Sequence, residues 1–262
     1  MDSKSMDSIR RKYFFVSYCS LLLMISCGTR NSESTMVAAA ANTQFAMKEV
    51  VKEFETRYNI PCELIISSSG KLTAQLLEGA PYDIFLSADM HYPQLLYEKK
   101  ISLKKPKIYA RGKMAIISSD RAIQPLITSL RSKEVKHIAI ANPETAPYGK
   151  ATKLMLQNLG MWKSIESKIV YGESIAQVNQ FVFSGAAQLG FTSLSSALAP
   201  QLADKVAWKE IESKHYSVIE QGIVIVNNSE AKSAQCKKFY NFLFSEEGQN
   251  IFSRYGYAKG DQ

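Results

Sequence analysis

The sequence predicts an α/β fold with mainly parallel sheets. Short apolar runs of strand length alternate with longer runs of helical periodicity, and short turns join them. The composition, 46% hydrophobic and 21% charged over 262 residues, is that of a globular chain and excludes disordered, collagenous and disulfide-scaffold classes. No Pro/Gly-rich linker, internal repeat or low-complexity tract divides the chain. That suits two lobes joined by strands rather than two sequential domains. The length allows two units of about 110 residues, each able to bury a core.

The N-terminus reads as an address. Arg10, Arg11 and Lys12 precede an apolar run at residues 14–26, shorter than the ~20 residues of a membrane span. A basic segment, a short apolar segment and a small residue at the cut describe a secretory signal. Met24-Ile25-Ser26-Cys27 resembles a bacterial lipoprotein signal, with Cys27 as the lipidated residue, although Leu is usual where Met24 stands. A plain signal peptide or an uncleaved anchor are the alternatives. Residues 1–26 are thus expected to leave, and residues 27–35 read as a polar tether. The chain carries +8, and the mature part stays basic, which suits anionic ligands or an anionic surface.

The elements follow in order. Residues 36–41 form an apolar run ending at Asn42. Met47, Val50, Val51, Phe54 and Tyr58 then recur at helical spacing. Residues 62–66 read as a strand, followed by Ser67-Ser68-Ser69-Gly70 and a helix marked by Leu72, Leu76 and Leu77, closed by Gly79 and Pro81. Residues 83–86, 113–117 and 137–141 are strands. A helix starts near Pro147 or Tyr148, bears Ala151, Leu154, Met155 and Leu159, and stops at Gly160. Residues 168–171 form a strand. Gly172-Glu173-Ser174 leads into a helix with Ile175, Val178 and Val182. Residues 188–192 and 222–226 are strands, and helices near 231–244 and 246–255 end at Gly256 as a cap.

Four turns carry the chemistry: Ala41-Asn42-Thr43, Ser67-Ser68-Ser69-Gly70, Ala146-Pro147-Tyr148-Gly149 and Gly172-Glu173-Ser174-Ile175. Each opens a helix, whose start offers unpaired N–H groups and partial positive charge, a site for an oxyanion. Ordinary capping, in which Asn or Ser accepts from its own backbone, explains each turn equally well. The residues alone lead to an anion binder as one reading and no further.

The stretches VAAAANTQFAMKEVVKEFE (37–55), SSSGKLTAQLLEGAPYDIFLSAD (67–89), ANPETAPYGKATKLMLQNLG (141–160) and GESIAQVNQFVFSGAAQLGFTSLS (172–195) resemble the molybdate-binding proteins of bacterial ABC transporters, the ModA family. The resemblance runs from about residue 36 to 256. It implies a two-lobed, type II periplasmic-binding-protein fold with the ligand in the inter-lobe cleft. Lobe 1 would be 36–112 with 221–262, lobe 2 would be 113–220, and the hinges would lie near 111–114 and 219–222. The ligand would be molybdate or tungstate, with no cofactor and no bare metal ion. Asn42 and Ser69 would bind it from one lobe; Tyr148 and Ile175 would bind from the other, chiefly by backbone N–H, with Ala41 adjacent. Ser193 stands where some members place a Tyr hydroxyl, so no role is expected for it. The partners implied are an ABC permease and, through Cys27, a bacterial membrane on the periplasmic side.

A dehydrated tetrahedral dianion presents only acceptors, so a site of N–H and O–H donors satisfies it. A protonated oxyanion such as phosphate leaves its own donor unmatched, at about 1–3 kcal/mol. Sulfate is also acceptor-only and is the alternative ligand. Glu173, beside the fourth turn, is expected to point outward or to pair with a Lys.

Other readings are weaker. Gly172-Glu173-Ser174-Ile175-Ala176 approximates an esterase elbow around Ser174, with Asp204 and His215 following in order, but Ala replaces the last Gly. Glu144 stands where the first Gly of a phosphate loop belongs. His91, His137 and His215 are isolated, and Trp162 and Trp208 read as core. No basic aromatic stripe points to nucleic acid. Cys19 leaves with the signal, while Cys62 and Cys236 read as buried thiols, with a disulfide as the alternative. Nothing argues for more than a monomer.

Overall fold

The computed structural model describes residues 34–102, 104–203, 205–226 and 230–261. The signal, Cys19, Cys27 and most of the expected tether lie outside them, as does Asp204. The chain order is β1 (Thr35–Ala40), a 3-10 turn (Ala41–Thr43), α1 (Gln44–Tyr58), β2 (Cys62–Ser67), α2 (Ser69–Leu77), β3 (Ile84–Leu86), α3 (His91–Glu98), β4 (Lys107–Gly112) and β5 (Met114–Ser118). There follow β6 (Ile138–Ala141), α4 (Pro147–Asn158), α5 (Trp162–Ile165), β7 (Ile169–Gly172), α6 (Ile175–Phe183), β8 (Leu189–Ser193), α7 (Leu194–Ala197) and α8 (Pro200–Ala203). The last elements are β9 (Ala207–Glu210), β10 (Ile219–Ile225), α9 (Glu230–Phe244), α10 (Glu246–Arg254) and β11 (Ala258–Lys259).

The strands form two sheets, ordered β11-β4-β10-β3-β1-β2 and β7-β6-β8-β5-β9. Both are mixed rather than mainly parallel. β1 runs parallel to β2 and β3, and β6 runs parallel to β7 and β8. The pairings of β10, β4, β11, β5 and β9 are antiparallel. The parallel strands are those followed by a helical turn, because a parallel neighbour requires a crossover. Among the antiparallel strands, β4 and β5, and β9 and β10, are the pairs by which the chain passes from one sheet to the other, and β11 closes the first sheet's edge.

β1 is apolar almost throughout because both faces of its sheet are covered. Val37 and Ala39 face a core with Met47, Val50, Phe54, Phe239 and Phe252. Ala38 faces the other way, among Leu72, Leu76, Phe85 and Leu96. The second sheet has its own core of Ile116, Ile138, Ile140, Val178, Val182 and Phe191. Burying each such side chain contributes about 1.5–3 kcal/mol. Ala199 and Leu202 lie in sequence between β8 and β9 of the second sheet but pack in the first sheet's core.

Several boundaries differ from expectation. Thr35, assigned to the tether, is fully buried and pairs with Cys62 as the first residue of β1. β10 begins at Ile219. β4, β9 and β11 and the helices α3, α5, α7 and α8 carry too few periodic residues to be read from sequence. Trp208, read as core, lies on the edge strand β9 and is 38% exposed, whereas Trp162 is buried. Gly256 follows α10 at φ +77°, the left-handed cap its position calls for.

Candidate functional site

In both sheets the parallel strands end on the same feature. The C-terminal ends of β1, β2, β6 and β7 each release the chain into a helix start, and these four starts surround one small recess. Open α/β sheets present ligands at such strand ends. From the first sheet come Ala40, Ala41, Asn42, Ser68, Ser69 and Ala88; from the second come Ala146, Pro147, Tyr148, Ser174 and Ile175. Asn42, Ser69, Tyr148, Ile175 and Ala41, which sequence brings forward from four separate segments, therefore line one space.

Capping explains none of these four helix starts. Ala40, Ser68, Ala146 and Ser174 occupy the N-cap positions, and none makes a side-chain cap bond. Ser193 and Ser245, at the starts of α7 and α10, do cap their helices. The Ser68 hydroxyl is buried and has no partner. Ser69 Oγ accepts from the Ala88 N–H at 3.0 Å, which leaves its own proton to donate. No Asp, Glu, Lys, Arg or His lines the recess. A set of unfilled N–H and O–H donors without formal charge can hold an anion by hydrogen bonding and helix dipoles alone.

The Asn42 side-chain amide is tied into a buried network. Its amide nitrogen donates to Gln221 Oε1 and Tyr257 Oη, each at 3.0 Å, and its Oδ1 is buried with no partner. Its carbonyl accepts from Ser195 Oγ at 2.5 Å, Tyr257 Oη at 2.9 Å and Ser193 Oγ at 3.3 Å. Ser193 thus serves by holding the first turn and capping α7. Burial pushes the Tyr148 and Tyr257 phenols well above their ordinary pKa, so both remain protonated donors.

The segments of the two sheets also meet at the rim. The Gly70 N–H donates to Thr145 O at 2.8 Å, and Tyr92 Oη donates to Glu144 O at 3.3 Å. Lys71 pairs with Glu173 at 2.7 Å, which is the Lys partner Glu173 is expected to find. A Cβ on Gly70 would lie 2.9 Å from both Thr145 Cα and its carbonyl oxygen, so only glycine permits this approach.

The profile of the bacterial extracellular solute-binding proteins matches residues 35–258. The molybdate-binding protein ModA of Azotobacter vinelandii is 31% identical over 238 residues, 90% of this chain and 93% of that protein. ModA of Rhodobacter capsulatus is 30% identical over 224 residues, 85% of this chain and 87% of that protein. The chain belongs to the bacterial extracellular solute-binding proteins, in the ModA family. Among solved structures, the A. vinelandii periplasmic molybdate-binding protein matches with TM-score 0.80 and 28% identity, over 86% of this chain and 99% of that one. The sulfate-binding protein SubI of Mycobacterium tuberculosis H37Rv shares the fold, with TM-score 0.70 at 12% identity.

Three features of the recess and its surroundings are not legible in the sequence. Ser68 was visible only as one of three serines in a turn, and its burial without a partner sets it apart. Ala88 is brought in by β3, and Gln221 by β10. Ser174 lines the recess as an N-cap residue, whereas His215 lines a neighbouring groove between α4 and the segment entering β10.

Proposed function

We propose that this chain captures molybdate or tungstate in the recess and delivers it to an ABC importer. The observation that carries the reading is the convergence of four uncapped helix starts on a space lined by no charged side chain. Backbone N–H groups at Asn42, Ser69, Tyr148 and Ile175, with the Ser68 and Ser69 hydroxyls, supply the donors, and the Asn42 side-chain oxygen is the one unpaired acceptor among these residues. An acceptor-only dianion satisfies the donors, while a protonated oxyanion leaves one group unmatched at about 1–3 kcal/mol. Both named ModA relatives are molybdate-binding proteins, which favours molybdate and tungstate over sulfate. Sulfate is the second reading, supported by the fold shared with SubI.

The two sheets are the cores of two lobes, 36–112 with 221–262 and 113–220, which close on the anion by hinging near 111–114 and 219–222. The rim contacts of Gly70, Tyr92 and Lys71 form as the lobes meet and exclude water. Cys27 anchors the mature monomer to a bacterial membrane, and the closed form docks on the permease. Binding and delivery of a solute, the role of the extracellular solute-binding family, is the activity this reading assigns.

Titration calorimetry on the chain freed of residues 1–26 tests the reading with molybdate, tungstate, sulfate, phosphate and nitrate. Tight binding of molybdate and tungstate alone is the expected outcome. Equal binding of sulfate favours the second reading, and binding of none overturns both.

A further inference from the structure

We propose that Gln221 decides which end of the Asn42 amide faces the recess, and so tunes the site toward fully deprotonated oxyanions. The inference rests on the oxyanion reading above. Gln221 is fully buried on β10, and Asn42 is 1% exposed. The Asn42 amide nitrogen points to Gln221 and Tyr257, neither of which lines the recess. The opposite end of the planar amide, Oδ1, is buried and lacks a partner, and because Asn42 lines the recess, the end turned away from Gln221 and Tyr257 is the one left for the recess. In this arrangement the site offers an acceptor to a ligand made only of acceptors.

An amide has nearly the same shape when its two ends are exchanged. Gln221 Oε1 accepts from Asn42 Nδ2 at 3.0 Å and from Tyr109 Oη at 2.9 Å, and its Nε2 donates to Tyr148 Oη at 3.3 Å. With both amides turned, Gln221 Nε2 donates to Asn42 Oδ1, and Tyr148 Oη donates to Gln221 Oε1. Tyr109 Oη keeps an acceptor in Ser87 O at 3.4 Å. The Asn42 carbonyl keeps Ser195 Oγ. Asn42 Nδ2 then faces the recess as a donor, and no buried polar atom of the pair is orphaned once a dianion binds.

Two self-consistent arrangements therefore share one set of atomic positions. One presents an acceptor and suits a protonated oxyanion; the other presents a donor and suits molybdate. Gln221 couples them because one end of its amide donates and the other accepts, so Asn42 cannot turn unless Gln221 turns. Through Tyr148 the same residue reads the other side of the recess, which makes Gln221 a positioning residue reaching both walls.

The test is a double-mutant cycle with sodium molybdate by titration calorimetry on the chain freed of residues 1–26: wild type, Gln221→Met, Asn42→Ala and the double variant. Melting of each anion-free variant verifies folding. Gln221→Met is expected to weaken molybdate binding five- to twentyfold in the wild-type background and less than twofold with Asn42→Ala. It is also expected to narrow the ratio of molybdate to phosphate affinity. An equal loss in both backgrounds, or a loss below twofold in the first, overturns the inference. Should the variants fail to fold, the side-chain amide spectrum of ¹⁵N-labelled wild type decides. Expected are molybdate-induced shifts of both the Asn42 and Gln221 amides; a Gln221 amide that does not move overturns the coupling. Failure of wild type to bind molybdate or tungstate defeats the oxyanion reading itself, an outcome distinct from these.

Discussion

At the scale of single residues, the site depends on hydroxyl and amide groups withheld from the caps they could have made. Ser68 and Ser69 are adjacent but differently engaged. Ser68 Oγ has no partner, whereas Ser69 Oγ holds the Ala88 N–H. Ser68→Ala is therefore expected to weaken molybdate binding by about 1–3 kcal/mol while leaving the melting temperature of the anion-free protein unchanged. Ser69→Ala should lower both, since it also orphans the Ala88 N–H. Calorimetry with thermal melts separates the two, and equal melting temperatures for both variants would refute the distinction. The residues alone could not rank the three serines and the resemblance singled out Ser69; that Ser68 is the unpaired one depends on which hydroxyl the fold leaves without a partner.

At the scale of elements, α2 is the piece that reaches across. Its first turn carries Ser69 on the recess and Gly70 against Thr145. A methyl group on Gly70 would meet Tyr92 Oη at 2.7 Å and Thr145 Cα at 2.9 Å. Gly70→Ala is expected to weaken molybdate binding at least tenfold by holding the rim apart. Helix propensity favours Ala over Gly by about 1 kcal/mol, so the anion-free protein should melt no lower than wild type. A parallel loss of melting temperature would mean that the variant damages the fold rather than the approach. The neighbouring Lys71–Glu173 pair is exposed on both sides, 44% and 65%, and such pairs contribute little. The strongly periodic helices α1, α2, α4 and α6 were legible in sequence, as were the apolar strands. β9 and β11, also at sheet edges, were not, because they are short, largely exposed strands without an apolar pattern.

At the scale of the whole molecule, a buried polar network joins the two sheets. Asn42 follows β1 of the first sheet, Tyr109 and Gln221 lie on that sheet's β4 and β10, Tyr257 precedes β11, and Ser193 and Ser195 come from the end of β8 and α7 beside the second sheet. Burial raises the phenols of Tyr109, Tyr148 and Tyr257 above their ordinary value of 10.0. Because the folded pKa values are raised, the folded state keeps protons that the unfolded chain releases near pH 10. Their contribution is fully present below pH 10 and is lost as pH rises beyond it. Denaturant melts from pH 7 to 11.5 should show stability insensitive to these tyrosines up to about pH 10 and falling above it. The decline should be shallower for Tyr257→Phe; an identical decline would remove Tyr257 from the cause.

The sequence alone determined the alternation of strands and helices, the exported character and the four turns at which helices open. Local periodicity and turn chemistry depend on neighbours a few residues apart, so they are written in short stretches. Only the tertiary structure decided that the four turns face one recess, that capping does not fill them, and that Asn42 turns its amide nitrogen toward Gln221, 179 positions away. Those facts depend on which donors lack partners after packing, and a hydrogen bond between distant segments leaves no pattern in either one.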